Sequence, residues 1–152
     1  EGPKQRSPEQ VALAHHRAHR AIGVEDRQVT DAGLFHELVG DREQLIQAAL
    51  NIARNAAQAG SSSIAFKTRA VRQTTILRQR HRLALELQVI DDGPGVPEEI
   101  RERIFNPLVS GREGGTGLGL SLAQTFVQYH QGVIEFESRP GRTIFRILLP
   151  LT

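Results

Sequence analysis

The chain has 152 residues, enough to bury a core as one domain, and its 39% hydrophobic and 24% charged content is ordinary for a globular protein in water. With no cysteine it lacks a disulfide framework, a thiolate zinc site and a thiol nucleophile, which fits a reducing cytoplasm. A formal net charge of +2 is too small to imply a nucleic-acid partner, and no apolar run approaches the roughly 20 residues a membrane helix needs. Glu1 opens a polar stretch without the apolar segment of a secretion signal, and the absent initiator Met reads as a piece of something longer.

In chain order, Ser7-Pro8-Glu9 combines an N-cap, a first-turn proline and a first-turn acid, predicting a helix to about residue 22 that Gly23 ends. Residues 26–39 are the least regular, with short extended pieces at 28–30 and 37–39 that predict one or two strands. Asp41 then caps a strong helix over 42–59, closed by Gly60 and a serine run. Residues 64–75 and 82–90 alternate like paired strands, joined by a polar, arginine-rich loop. Pro97-Glu98-Glu99 opens a short helix to about 104, and residues 106–116 have no apolar periodicity, the mark of a mobile loop. Residues 118–130 read as a helix stopped by Gly132, and 133–137 with 143–149 as a last hairpin around Pro140-Gly141.

Lys67, Arg69, Arg72, Arg78, Arg80 and Arg82 fall within sixteen positions that hold no acid. A phosphate-backbone binder would interleave such a patch with aromatic platforms or a groove-reading helix, and neither is present. The patch reads as an exposed hairpin kept soluble by arginine, with a partner-docking surface as the alternative.

Three pieces point to a nucleotide. On the 42–59 helix, Leu45, Ala49, Ile52 and Ala56 fall within about 40° of one another and define a core stripe, with Asn51 and Asn55 together at its border. Two asparagines inside a helix cost on the order of 1 kcal/mol relative to alanine, so they either bond neighbouring backbone or offer their oxygens to a hard cation such as Mg²⁺. Next, a buried-strand run delivers Asp91 to the turn Asp91-Asp92-Gly93-Pro94-Gly95-Val96-Pro97. That sequence is either a surface turn or a carboxylate placed to accept from an exocyclic amine such as adenine N6, with Gly93 and Gly95 leaving room for a flat base. Finally, Gly114-Gly115-Thr116-Gly117-Leu118-Gly119-Leu120 opens a helix whose N-terminus favours phosphate. It follows no strand within a βαβ unit, so a dinucleotide fingerprint is ruled out.

In order, Asn51-x-x-x-Asn55, Asp91-x-Gly93-x-Gly95, Ile104-Phe105-Asn106-Pro107 and Gly115-x-Gly117-Leu118-Gly119 resemble the N, G1, F and G2 boxes of the catalytic ATP-binding domain of sensor histidine kinases. The match spans residues 26–152, with 1–25 an N-terminal helix that fits the pattern poorly. More narrowly, residues 106–117 and the closing His130-Gln131-Gly132 resemble the nitrogen-regulation sensor kinases that act with the PII signal protein.

The resemblance implies an α/β fold, a two-layer sandwich of the Bergerat ATP-binding type with a mixed sheet and three main helices on one face. It implies ATP and Mg²⁺, with Asn55 on the metal and Asn51 beside it, and Asp91 reading the adenine amino group next to Gly93, Gly95 and Val96. Thr143 would support the adenine edge through water, Phe105 would anchor the base of a lid, and Gly115, Thr116, Gly117, Leu118, Gly119 and Leu120 would wrap the phosphates. Gln58 stands where many relatives place a basic residue, which leaves Arg112 or Arg54 to meet phosphate charge. Expected partners are ATP and ADP, the dimerisation and phosphoacceptor domain of the same kinase, a response-regulator receiver domain and the PII protein, all in the cytoplasm.

The family's acceptor motif is His-Glu-x-x-Asn-Pro. His36-Glu37 has only its first pair and lies too near the asparagine helix, so the acceptor is expected outside this chain. His15, His16 and His19 have helical metal-ligand spacing without a third ligand and read as a solvated face. Two rivals remain. One is a same-fold ATPase, whose relatives carry a glutamate base where Asn51 stands; the other is an interaction module using the arginine-rich hairpin.

Overall fold

The computed structural model describes residues 40–109 and 118–151. The helix expected before residue 23, the strands expected within 26–39 and the glycine loop at 110–117 lie outside them.

Helix α1, Arg42–Gln58, begins where Asp41 Oδ1 accepts from the Gln44 N–H at 3.1 Å. It ends in a Schellman motif: Gly60, at φ +103°, and Ser61 donate back to the carbonyls of Ala57 and Ala56. The expected stripe of Leu45, Ala49, Ile52 and Ala56 is buried, but so are Ile46, Ala48, Leu50 and Ala53. The extra width arises because α1 packs on the sheet and also on helix α2, Gly119–Tyr129.

The four described strands are β1 (Ile64–Ile76), β2 (Gln79–Asp91), β3 (Val133–Arg139) and β4 (Arg142–Pro150), in the order β1-β2-β4-β3, every neighbouring pair antiparallel. On one face Ile64, Phe66, Leu85, Leu87, Val89, Ile134, Phe136, Phe145, Ile147 and Leu149 alternate along their strands into a common core with α1 and α2.

The arginine-rich loop expected between β1 and β2 is instead two residues, Leu77 and Arg78, at φ +49° and +66°. Two successive left-handed residues match the right-handed twist of paired strands, so the ladder continues to Ile76↔Gln79 and the arginines sit on strands. No Asn-Gly marks the turn, which is why charge alone suggested a loop.

Gly132 was expected to stop α2. The left-handed residue is Gln131, at φ +56°, while Gly132 donates to the Val127 carbonyl at 3.0 Å and supplies space rather than torsion. Between them the two helices hold His130, only 7% exposed. Its Nδ1–H donates to the Phe126 carbonyl at 2.7 Å and its Nε2 accepts from the Asp41 N–H at 2.8 Å, tying the end of α2 to the start of α1. His130→Ala leaves that N–H without an acceptor and opens a void, so it should cost about 2 kcal/mol or more, read as a melting point several degrees lower.

Candidate functional site

Three strands end their core-facing alternation with a polar residue at the same level of the sheet. Following Leu87 and Val89, β2 places Asp91; beyond Phe145, β4 places Thr143; beyond Ile134 and Phe136, β3 places Ser138. The register sets Asp91 opposite Thr143 and Thr143 opposite Ser138, with Ile64 of β1 on the other side of Asp91. A row of acceptors and hydroxyls thus borders an apolar floor, the combination that holds a flat heteroaromatic ring by its edge.

Asp91 is 8% exposed. Its Oδ1 accepts from the Ser61 hydroxyl at 2.9 Å and from the Gly93 N–H at 2.9 Å, and among the described residues both of its hydrogen bonds fall on that oxygen. The second carboxylate oxygen is left for another donor. Asp92, by contrast, is exposed and fastens the serine run, its Oδ1 accepting from the N–H groups of Ser62 and Ser63 at 2.8 and 2.9 Å.

The turn after Asp91 is close-packed. A Cβ on Gly93 would lie 2.5 Å from Ser61 Oγ and 2.9 Å from Asp91 Oδ1. Gly95, at φ +87°, passes so near β3 that a Cβ would meet Ser138 Oγ at 3.0 Å and the Arg139 carbonyl at 3.1 Å. The Val96 N–H donates to Ser138 Oγ at 2.7 Å, the Gly141 N–H donates to the Gly93 carbonyl at 2.8 Å, and Arg101 Nε donates to the Val96 carbonyl at 3.1 Å. The β3–β4 hairpin therefore clamps the glycine turn.

Asn51 and Asn55 share one side of α1, as their spacing requires. Asn51 is buried, with its Oδ1 accepting from Gln47 Nε2 at 2.8 Å, whereas Asn55 is half-buried and no described residue hydrogen-bonds its amide. Gly119, the first residue of α2, lies against Asn51, a Cβ there being 3.9 Å from Asn51 Cβ. The N-terminus of α2, with N–H groups that have no acceptor inside the helix, is thereby brought beside the asparagine face. Leu118 caps this end and Leu120 packs on the core. Gln58 and Arg54 are exposed on α1; Arg112, Gly115, Thr116 and Gly117 lie outside the described residues.

Phe105, just after the 3-10 helix Glu98–Arg103, stands edge-on to Phe136 and Phe145, ring centres 6.2 and 6.3 Å away, while those two rings stack at 5.4 Å. It packs one level below the polar row, where the turns of residues 106–109 leave the core.

Sequence reasoning missed Ser61 and Ser138. Ser61 carries no local signal, because only the Schellman turn brings its hydroxyl to Asp91. Ser138 had one: extending the Ile134–Phe136 alternation by one step places a hydroxyl in the row.

Among the described residues no group of three or more His, Cys, Asp or Glu converges as a metal site, and no helix is long and apolar enough to cross a membrane.

Residues 40–152 match the family model described as histidine kinase-, DNA gyrase B- and HSP90-like ATPase. The chain is 48% identical over 118 residues to the sensory histidine kinase/phosphatase NtrB of Salmonella typhimurium and to that of Escherichia coli O157:H7, each alignment covering 76% of this chain and 34% of the relative. It therefore spans about one third of the length of these curated relatives. Among solved structures, it is similar to the mycobacterial sensor histidine kinase MprB, with 26% identity and a TM-score of 0.59 over 76% of this chain and 78% of that one. It is also similar to the catalytic domain of the histidine kinase ThkA, with 29% identity and a TM-score of 0.55 over 73% and 68% of the two chains.

Proposed function

Because the chain belongs to the family of histidine kinase-, DNA gyrase B- and HSP90-like ATPases, we propose that it binds ATP with Mg²⁺ and presents the γ-phosphate to a histidine on a separate dimerisation domain of a two-component kinase. The observation that carries this reading is the row Asp91–Thr143–Ser138, together with the asparagine face of α1 set against the N-terminus of α2.

The second oxygen of Asp91 would accept from the adenine amino group, and Thr143 would face the neighbouring ring nitrogen, directly or through one water. The backbone N–H groups opening α2 would take phosphate oxygens, continued by Gly115, Thr116 and Gly117. The donors available for Mg²⁺ are neutral amide oxygens. Asn55 is the one left unengaged by described residues and would hold the ion, with Asn51 beside it; one or two protein oxygens suit a cation that keeps phosphate and water in its shell. When bound, Mg²⁺ neutralises phosphate charge. Everything else the chain contributes is positioning. Asn51, an amide, cannot accept a proton from an attacking water, which favours transfer to a histidine over hydrolysis.

The similarity to NtrB supports a nitrogen-regulation system, with a response-regulator receiver domain and the PII protein as further partners and the cytoplasm as the site of action.

The 152-residue chain should bind ATP·Mg²⁺ without labelling itself. Mixed with the dimerisation domain of its parent protein, it should yield an acid-labile, base-stable phosphohistidine. Asn55→Ala should weaken ATP·Mg²⁺ binding at least tenfold, about 1.4 kcal/mol, with little change in melting point. Brisk phosphate release by the chain alone, near roughly 1 s⁻¹ and with no phosphohistidine when the acceptor is added, would overturn transfer in favour of hydrolysis.

A further inference from the structure

Ser138 touches both halves of the site. Its Oγ accepts from the Val96 N–H at 2.7 Å and lies 2.8 Å from Thr143 Oγ1, its partner across the β3–β4 ladder. Thr143 is 3% exposed and sits opposite Asp91 on β2. A hydroxyl has one proton and two lone pairs. With Val96 holding one lone pair, the Ser138 proton finds its acceptor among the described residues in Thr143 Oγ1. Donated there, it leaves the Thr143 proton free to turn toward a ligand beside Asp91.

We infer that Ser138 is a positioning residue that sets the donor sense of Thr143 and thereby selects adenine over guanine, an inference that rests on the nucleotide reading above. Asp91 accepts and Thr143 donates. Adenine presents the complementary pair along its edge: the exocyclic N6 amine donates and N1 accepts. Guanine presents the reverse, an accepting O6 and a donating N1–H, so it sets acceptor against Asp91 and two donors face to face at Thr143. This sense is carried by direct donation from Thr143 to N1; a bridging water that accepts from Thr143 keeps a second lone pair and would leave the discrimination to Asp91. Asp91 and Thr143, both buried, leave little bulk solvent to compensate a mismatch, the condition under which a misplaced donor or acceptor discriminates most strongly.

The test is displacement of a fluorescent ATP analogue by ATP·Mg²⁺ and GTP·Mg²⁺ from the parent chain, Ser138→Ala and Ser138→Thr, with the melting point of each free protein measured alongside. In Ser138→Ala the Thr143 hydroxyl loses the partner that orients it. ATP should then bind roughly tenfold more weakly and GTP no more weakly than before, so that the preference for ATP falls about tenfold. Ser138→Thr keeps the hydroxyl and should retain the preference. Equal weakening of ATP and GTP in Ser138→Ala would show that Ser138 only supports the Val96 turn, and an unchanged ATP affinity would show that it has no part in recognition; either overturns the inference while leaving the nucleotide reading intact. A parent chain that binds neither nucleotide overturns both.

Discussion

Asp91→Asn should bind ATP about a hundredfold more weakly than the parent chain, about 2.7 kcal/mol, while melting within a few degrees of it. The separation follows from how the carboxylate is used. Oδ1 is occupied by the Ser61 hydroxyl and the Gly93 N–H, both at 2.9 Å, and an asparagine can keep its oxygen there. The other oxygen becomes an NH₂ group, which sets donor against donor where the adenine amine would approach. Asp91→Ala is a poorer probe, since it strips the acceptor from two donors and costs about 1–3 kcal/mol for each one left buried and unpaired. Calorimetry with ATP and thermal melting without it read the two effects apart. Should Asp91→Asn bind ATP as well as the parent chain, the base-recognition role is wrong; should it fail to fold, Asp91 belongs to the scaffold.

Gly132→Ala should be strongly destabilising, costing about 3 kcal/mol or more. A Cβ there would lie 2.5 Å from the Leu148 carbonyl oxygen, 2.7 Å from Leu149 Cδ2 and 2.9 Å from Val127 Cγ1. The side chains have little room because Val127 and Leu149 belong to the packed core, and a carbonyl in the β3–β4 ladder cannot step aside without breaking pairing. Gly60→Ala serves as the control. It meets nothing within 4 Å and carries only the torsional cost of φ +103°, on the order of 1 kcal/mol. Urea or thermal unfolding should rank Gly132→Ala well below Gly60→Ala, and similar losses from the two would mean that crowding at Gly132 is relieved by local movement.

What could be read along the chain was whatever depends on near neighbours. Asn51 and Asn55 share a side of α1 because four residues make about one turn, and Asp41 caps that helix because its carboxylate reaches the N–H three residues on. Asp91 ends a buried strand because apolar residues alternate up to it. The order of these pieces was enough to indicate a nucleotide and a family. Tertiary structure decided which groups meet. That Thr143 stands opposite Asp91 is a matter of register between strands about fifty residues apart in sequence, and a shift of one residue between them would put Thr143 and Asp91 on opposite faces of the sheet. Ser61 reaches Asp91 only because α1 closes in a Schellman turn against the end of β2. Torsions were likewise settled by packing: Leu77, Arg78 and Gln131 hold left-handed conformations that their residue types disfavour, since the twist of the β1–β2 hairpin and the exit from α2 require them there. Local chemistry thus determined the parts and the ligand they point to, while long-range pairing, which no single segment encodes, determined how the parts face one another.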